Sequence, residues 1–145
     1  TEIARLAGEN VITRGVEAAE VEADLTDVAF KLSRSRNAVA VITGREDIVA
    51  GGERVYLVKN GHEMMGSIVG TGCMAASVIG VFAGVENDYT VAAVSALACF
   101  GIAGELAAGR SSGPGSFKTA FYDEMYNLDS VKIERMSKIE IVRGC

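Results

Sequence analysis

The segment "NAVAVITG" (Asn37–Gly44) decides the fold, because it places a short apolar strand directly after an amphipathic helix. Its centre, Val39–Ile42, is a continuous apolar run rich in β-branched residues, which is typical of a strand buried on both faces, as in a parallel sheet. Upstream, apolar residues recur at helical spacing, at Val21, Leu25, Val28, Ala29 and Leu32. We therefore predict an α/β layered fold with a parallel sheet flanked by helices.

The rest of the chain supplies a hairpin and further helices. "DIVAGGERVYLVKNG" predicts strands at Asp47–Ala50 and Arg54–Lys59, with Gly51-Gly52 in the turn. Helices are predicted at about 71–84, 89–109, 116–128 and 130–136, with a last strand in "KIEIV". Thr1–Leu6 has a helical pattern that stops at Gly8.

Composition limits the classes of function. The 145 residues suffice for about one domain, and the net charge of −5 without a basic run argues against nucleic acid as a partner. Thr90–Gly109 is almost long enough to span a bilayer. It is rich in Ala and Gly, however, and it contains Glu105, so we predict a buried helix rather than a membrane span.

The three cysteines, Cys73, Cys99 and Cys145, are widely spaced and have no secretion signal before them. This pattern predicts reduced thiols in a cytoplasmic protein. One His, at position 62, and no closely spaced Cys pair argue against a zinc site. A lone His is more often structural than catalytic, and we interpret His62 in that way.

The candidate site lies in "GSIVGTGCMAASVIGVFAG", residues 66–84, where a glycine-rich turn runs into an apolar helix. Such a turn presents unpaired backbone N–H groups, and with the helix dipole they bind anions such as phosphate. Gly70 and Gly72 let the backbone approach a ligand closely, and Cys73 falls in the first turn. The spacing alone favours a plain turn with Cys73 as a small core residue, and no Gly-Lys-Ser/Thr of a P-loop follows.

The order of several motifs narrows these alternatives. "VITG", the hairpin, "VKNGHEMM", "GTGC" and "GPGSF" together resemble the hydroxyethylthiazole kinase family of the ribokinase-like superfamily, whose members act in thiamine salvage. The resemblance runs from "TEIA" to "IERMSKIEIV" and covers about the C-terminal half of that family's sequence. It implies that residues 1–145 are the C-terminal part of one ribokinase-like kinase domain, and we expect this part alone to be inactive.

The resemblance also implies the chemistry. The family uses ATP and Mg²⁺ to phosphorylate the hydroxyethyl group of a methylthiazole, and it forms cytoplasmic homotrimers with active sites between subunits. By resemblance, Gly70, Thr71, Gly72 and Cys73 form the anion hole for the transferring phosphoryl group, and Gly70 also lines the thiazole site. Cys73 stands where most ribokinase-like kinases carry an aspartate base, so it is either a base or a positioning group.

Two further positions match the family's motifs. Thr43 and Gly44 match a turn that contacts ATP. Glu2 matches the glutamate of an Asn-x-x-Glu motif that helps to place magnesium through water, although the Asn would precede Thr1.

The sequence also allows other interpretations of its motifs and of its function. "GPGSF" fits either a turn near the nucleotide or a plain helix start. A hydroxymethylpyrimidine kinase or a hydrate dehydratase is disfavoured, because these ribokinase-like enzymes usually carry aspartate at the position of Cys73. The remaining alternative is a non-catalytic nucleotide-binding or oligomerisation module.

Overall fold

The computed structural model describes residues 18–144, with side chains from residue 25 onward. The predicted helix at Thr1–Leu6, the candidate metal residue Glu2 and Cys145 lie outside the described residues. The described helices are α1 (Ala18–Arg36), α2 (Thr71–Ala83), α3 (Tyr89–Ala108), α4 (Pro114–Tyr126), α5 (Ser130–Met136) and a 3₁₀ helix at Glu63–Ser67. The strands are β1 (Ala40–Ile42), β2 (Asp47–Gly51), β3 (Arg54–Val58) and β4 (Ile139–Arg143).

The four strands form one sheet in the order β1-β2-β3-β4, and every neighbouring pair is antiparallel. The prediction of a parallel sheet is therefore wrong for the described residues. A parallel pair needs a crossover of a dozen or more residues, whereas the segments 43–46 and 52–53 permit only a direct reversal. Gly52 adopts a φ of +61° in the second of these turns, one residue later than the predicted turn centre.

Strands β1, β2 and β3 are nevertheless covered on both faces, as the apolar run in β1 predicts, whereas β4 is exposed along its length. Ile48 and Ala50 of β2 pack with Ala29 of α1, whereas Val49 between them belongs to the core formed with α3. Alternate residues of a strand point to opposite faces, so α1, the sheet and α3 form three successive layers.

Helix α3 is the centre of the larger core. Asp88 caps its start by accepting hydrogen bonds from the Thr90 and Val91 N–H groups, and an ion pair of 2.6 Å joins Asp88 to Arg54 of β3. Within the described residues, α3 is long and apolar enough to cross a membrane, but 72% of its apolar window is buried inside the protein. This burial is the pattern of a core helix, as predicted.

Helix α4 begins at Pro114 and packs its aromatic residues against α3. Phe121 stacks with Phe117, and its ring meets Phe100 edge to face with centroids 5.0 Å apart. The "GPGSF" segment (113–117) thus supplies a helix start and a core side chain, which fits the plain reading of that motif.

Candidate active site

A cleft of about 980 Å³ lies beside the N-terminus of α2. It brings Thr43 and Gly44, from the turn after β1, to the same cavity as Thr71 and Gly72. Two segments that were singled out separately in the sequence therefore line one site. The other lining residues are Arg45, Glu46, Asp47, Lys59, Asn60, Gly61, His62, Glu63, Met65, Gly66, Ala75, Leu97, Phe100 and Gly101.

The start of α2 leaves backbone donors open. Gly70 precedes the helix with a φ of +98°, and the Met74 N–H, which donates to the Gly70 carbonyl at 2.9 Å, closes the first turn. No side chain caps the helix, so the N–H groups of Thr71, Gly72 and Cys73 have no partner within the described chain. These N–H groups are available to an anion at the positive end of the helix dipole.

The turn at Thr43–Gly44 is held by Asp47. The Gly44 N–H donates to Asp47 Oδ1 at 3.0 Å. Burial raises the pKa of the Asp47 carboxyl, and the hydrogen bond from Gly44 offsets only part of that rise. The hydrogen bond between Asp47 and Gly44 holds the turn that lines the cleft together with Thr71 and Gly72.

A further wall of the cleft is the segment Asn60–Gly66, which contains most of the 3₁₀ helix. His62 begins this helix, because its Nδ1 accepts a hydrogen bond from the Met64 N–H at 3.2 Å. His62 thus has the structural role that was expected of it, although it also lines the cleft. The sequence pattern does not predict the 3₁₀ helix.

Two of the predicted site residues, Cys73 and Gly70, are not among the residues that line the cleft. Cys73 is exposed and borders a second, apolar hollow of about 350 Å³. This hollow is also lined by Met74, Ser77, Val78, Phe100, Phe121, Tyr122 and Met125. The first turn of α2 therefore presents Thr71 and Gly72 to one side and Cys73 to the other.

The described side chains assemble no group of three or more His, Cys, Asp or Glu residues that could hold a metal ion. Glu46, Asp47 and Glu63 all line the cleft, but they do not converge on one point. The described residues therefore form no all-protein cage for a metal ion. Mg²⁺ is usually held by one or two carboxylates together with water and substrate phosphates.

These features define an α/β protein with a cleft that is lined by free amides at the N-terminus of an apolar helix. The sequence profile of the hydroxyethylthiazole kinase family matches residues 1–131. The chain therefore belongs to the hydroxyethylthiazole kinase family, which confirms the resemblance found in its motifs.

Individual relatives agree. A hydroxyethylthiazole kinase of Methanosarcina acetivorans is 56% identical over 97% of this chain and 54% of the relative. One of Chloroflexus aurantiacus is 46% identical over 99% of this chain and 53% of the relative. The solved hydroxyethylthiazole kinase of Pyrococcus horikoshii superposes with a TM-score of 0.85 at 34% identity, over 97% of this chain and 52% of that one. The chain thus spans about half the length of the relatives that it matches.

Proposed function

We propose that the protein containing this chain is a hydroxyethylthiazole kinase, which phosphorylates the alcohol of 4-methyl-5-(2-hydroxyethyl)thiazole in thiamine salvage. The observation that carries the proposal is the shared cleft of Thr43–Gly44 and the α2 N-terminus. A nucleotide that contacted the Thr43–Gly44 turn would have its phosphates within the same cavity as the free N–H groups of Thr71 and Gly72.

The amides of α2 would bind the phosphate oxygens. Three adjacent N–H groups without partners in the described chain, at the start of a 13-residue helix, suit an anion in donor number and in charge. Phosphoryl transfer depends chiefly on positioning and on stabilising negative charge, and fixed amides provide both without reorganisation. ATP, when bound, would supply the phosphoryl group that these amides hold.

Magnesium is part of the proposal through ATP and through Glu2, which would act by way of water. The described carboxylates form no metal cluster.

The thiazole alcohol would approach from the side of Cys73. Thr71 and Gly72 line the cleft, whereas Cys73 borders the neighbouring hollow. Amides that lie between nucleotide and acceptor suit a transfer in which the attacking and leaving oxygens are roughly in line. Cys73 would then be a base or a positioning group for the alcohol, and Gly70 would line the thiazole site.

The whole protein would be a ribokinase-like domain that acts as a cytoplasmic homotrimer, with this chain as its C-terminal part. Two observations support assembly with further protein surface. The relatives are about twice as long as the matched region, and α2 buries only Ala75 although most of its residues are apolar. A helix with such a composition is normally covered.

The test is transfer of the γ-phosphoryl group to hydroxyethylthiazole by the full-length protein, by Cys73→Ala and by Cys99→Ala. Cys99 is the matched control, because it is a buried thiol of α3 whose pKa is raised by burial. We expect turnover in the wild type and in Cys99→Ala. If Cys73 is the base, kcat of Cys73→Ala falls by about 10²- to 10⁴-fold.

Full turnover in Cys73→Ala would support the kinase activity but would show that Cys73 has no chemical role in it. ATP binding without turnover on any thiazole alcohol would contradict the proposal and favour the non-catalytic nucleotide-binding module.

A further inference from the structure

Glu105 is the one charged residue in the 20-residue helix α3, and its side chain is only 15% exposed. A carboxylate removed from water costs free energy unless it is paired and hydrogen-bonded. Its place in an otherwise apolar core helix therefore calls for a reason. We propose that Glu105 is a positioning residue that holds the Asn60–Gly66 wall of the cleft in place for the nucleotide; this inference rests on the proposed function.

Both carboxylate oxygens of Glu105 are occupied. Oε1 accepts hydrogen bonds from the Gly61 N–H and from Asn60 Nδ2, each at 3.0 Å. Oε2 pairs with Lys138 Nζ at 2.8 Å. Glu105 thus binds the backbone at the first residues of the wall, directly before His62 and the 3₁₀ helix.

Asn60 extends this contact to the end of the chain. Its side chain is buried, and Nδ2 also donates to the Met136 carbonyl at 2.8 Å, while Oδ1 accepts from the Lys138 N–H at 2.8 Å. The carboxylate and the amide together join α3, the wall of the cleft and the connection from α5 to β4. Fully satisfied polar networks of this kind specify one arrangement of the segments that they join.

The surface of α3 is shaped for the same segment. A Cβ added at Gly101 would lie 2.5 Å from the carbonyl carbon and oxygen of Asn60, and one added at Gly104 would lie 2.4 Å from Met65 Sδ. The wall therefore rests directly on the helix at both ends. These contacts set its distance from α3, whereas the hydrogen bonds of Glu105 set its register along the helix.

The charge state suits this role. Burial raises the pKa of Glu105, but the hydrogen bonds from Lys138, Gly61 and Asn60 together outweigh that effect and hold it below its usual value. Glu105 is therefore ionised at neutral pH, when both of its oxygens act only as acceptors.

The experiment compares wild type, Glu105→Ala and Glu105→Gln in the full-length protein. Amide hydrogen exchange at Gly61 reports the contact, and calorimetry with ATP alone reports nucleotide affinity without any need for turnover. Glu134→Ala is the matched control, because Glu134 is an exposed acid on α5 whose side chain has no hydrogen bond or ion pair with another described residue. If Glu105→Ala does not fold, Glu105→Gln carries the test, since its amide oxygen can still accept from Gly61 but its nitrogen cannot pair with Lys138.

We expect exchange at Gly61 to rise about tenfold or more in Glu105→Ala, as for a lost hydrogen bond to a charged group. The rise should be smaller in Glu105→Gln, and exchange in β2 should not change. The Kd for ATP should also rise more in Glu105→Ala than in Glu105→Gln. In turnover assays, the fold increase in KM for ATP should exceed the fold decrease in kcat.

Unchanged exchange at Gly61, or faster exchange with an unchanged Kd for ATP, would overturn the proposal. In the second case the network would serve stability alone. Wild-type protein that binds ATP but does not phosphorylate the thiazole would refute the proposed function, and the exchange and calorimetry would still decide the role of Glu105.

Discussion

Replacing Gly101 by Ala should displace the wall of the cleft. Gly101 lies on the face of α3 that Asn60 covers, and an added Cβ would stand 2.5 Å from the Asn60 carbonyl carbon and oxygen and 2.7 Å from its Cβ. To regain a contact of 3.4 Å, the helix and the Asn60 backbone must separate by about 1 Å. Neither partner is the flexible end of a side chain, so the backbone itself must move.

The magnitude follows from two opposing terms. Overpacking at a well-packed site costs about 1–3 kcal/mol, whereas Gly-to-Ala within a helix favours folding by about 0.5–1 kcal/mol. We therefore expect the free energy of unfolding of Gly101→Ala to fall, by up to about 2.5 kcal/mol. The affinity for ATP should fall as well, because Asn60 and Gly61 line the cleft.

The assay is urea denaturation of the full-length protein together with calorimetry for ATP. The matched control is Gly80→Ala in α2, where an added Cβ has no atom of the described residues within 4 Å. That variant should gain about 0.5–1 kcal/mol in stability and bind ATP normally. If Gly101→Ala is as stable as Gly80→Ala, the close approach of Asn60 to α3 does not constrain the wall, and the reasoning is refuted.

Three further changes test other parts of the site. Gly72→Ala should not reduce stability, since its Cβ meets nothing within 4 Å, but it should weaken ATP binding by crowding the phosphate; normal affinity by calorimetry would contradict this. Gly70→Ala should cost about 1–2 kcal/mol in urea denaturation, because an L-residue is strained at a φ of +98°; an unchanged midpoint would contradict this. Since burial raises the Asp47 pKa above 3.8, its contribution to stability is present below pH 3.8 and is lost as pH rises through the folded-state pKa. Asp47→Asn should remove that loss, so a difference from wild type that stays constant between about pH 3 and 7 would refute the burial of the carboxyl.

Periodicity in the sequence predicts most elements well. Helix α5 is predicted at its observed bounds, and α2 and α3 are each predicted to within one residue. The prediction of a parallel sheet around β1 was wrong. An apolar run indicates that a strand is buried on both faces, but it does not indicate the direction of the neighbouring strand. Only the short segment 43–46, which permits no crossover, determines that direction.

The sequence predicts those parts of the site that are formed by short continuous segments of the chain. The N-terminus of α2 and the turn at Thr43–Gly44 follow from short motifs, and both line the cleft. The wall is not local, because Glu105 binds residues that lie 44 and 45 positions earlier in the chain. Two signals were present in the sequence, a lone carboxylate in an apolar helix and glycines at 101 and 104, but nothing in it identifies their partners.

The membrane-like composition of α3 has the same explanation as the shape of the cleft. A helix that is covered on all sides must be apolar all round, and one that backbone approaches closely must carry small residues. On α3, the sheet packs through Val49, α4 packs through Phe121, and the wall of the cleft rests on Gly101 and Gly104. Larger side chains at these two glycines would therefore displace the wall of the cleft and leave the packing of the sheet in place. Glu105 is the one charged residue of α3, and its hydrogen bonds to the wall account for its place in an apolar helix.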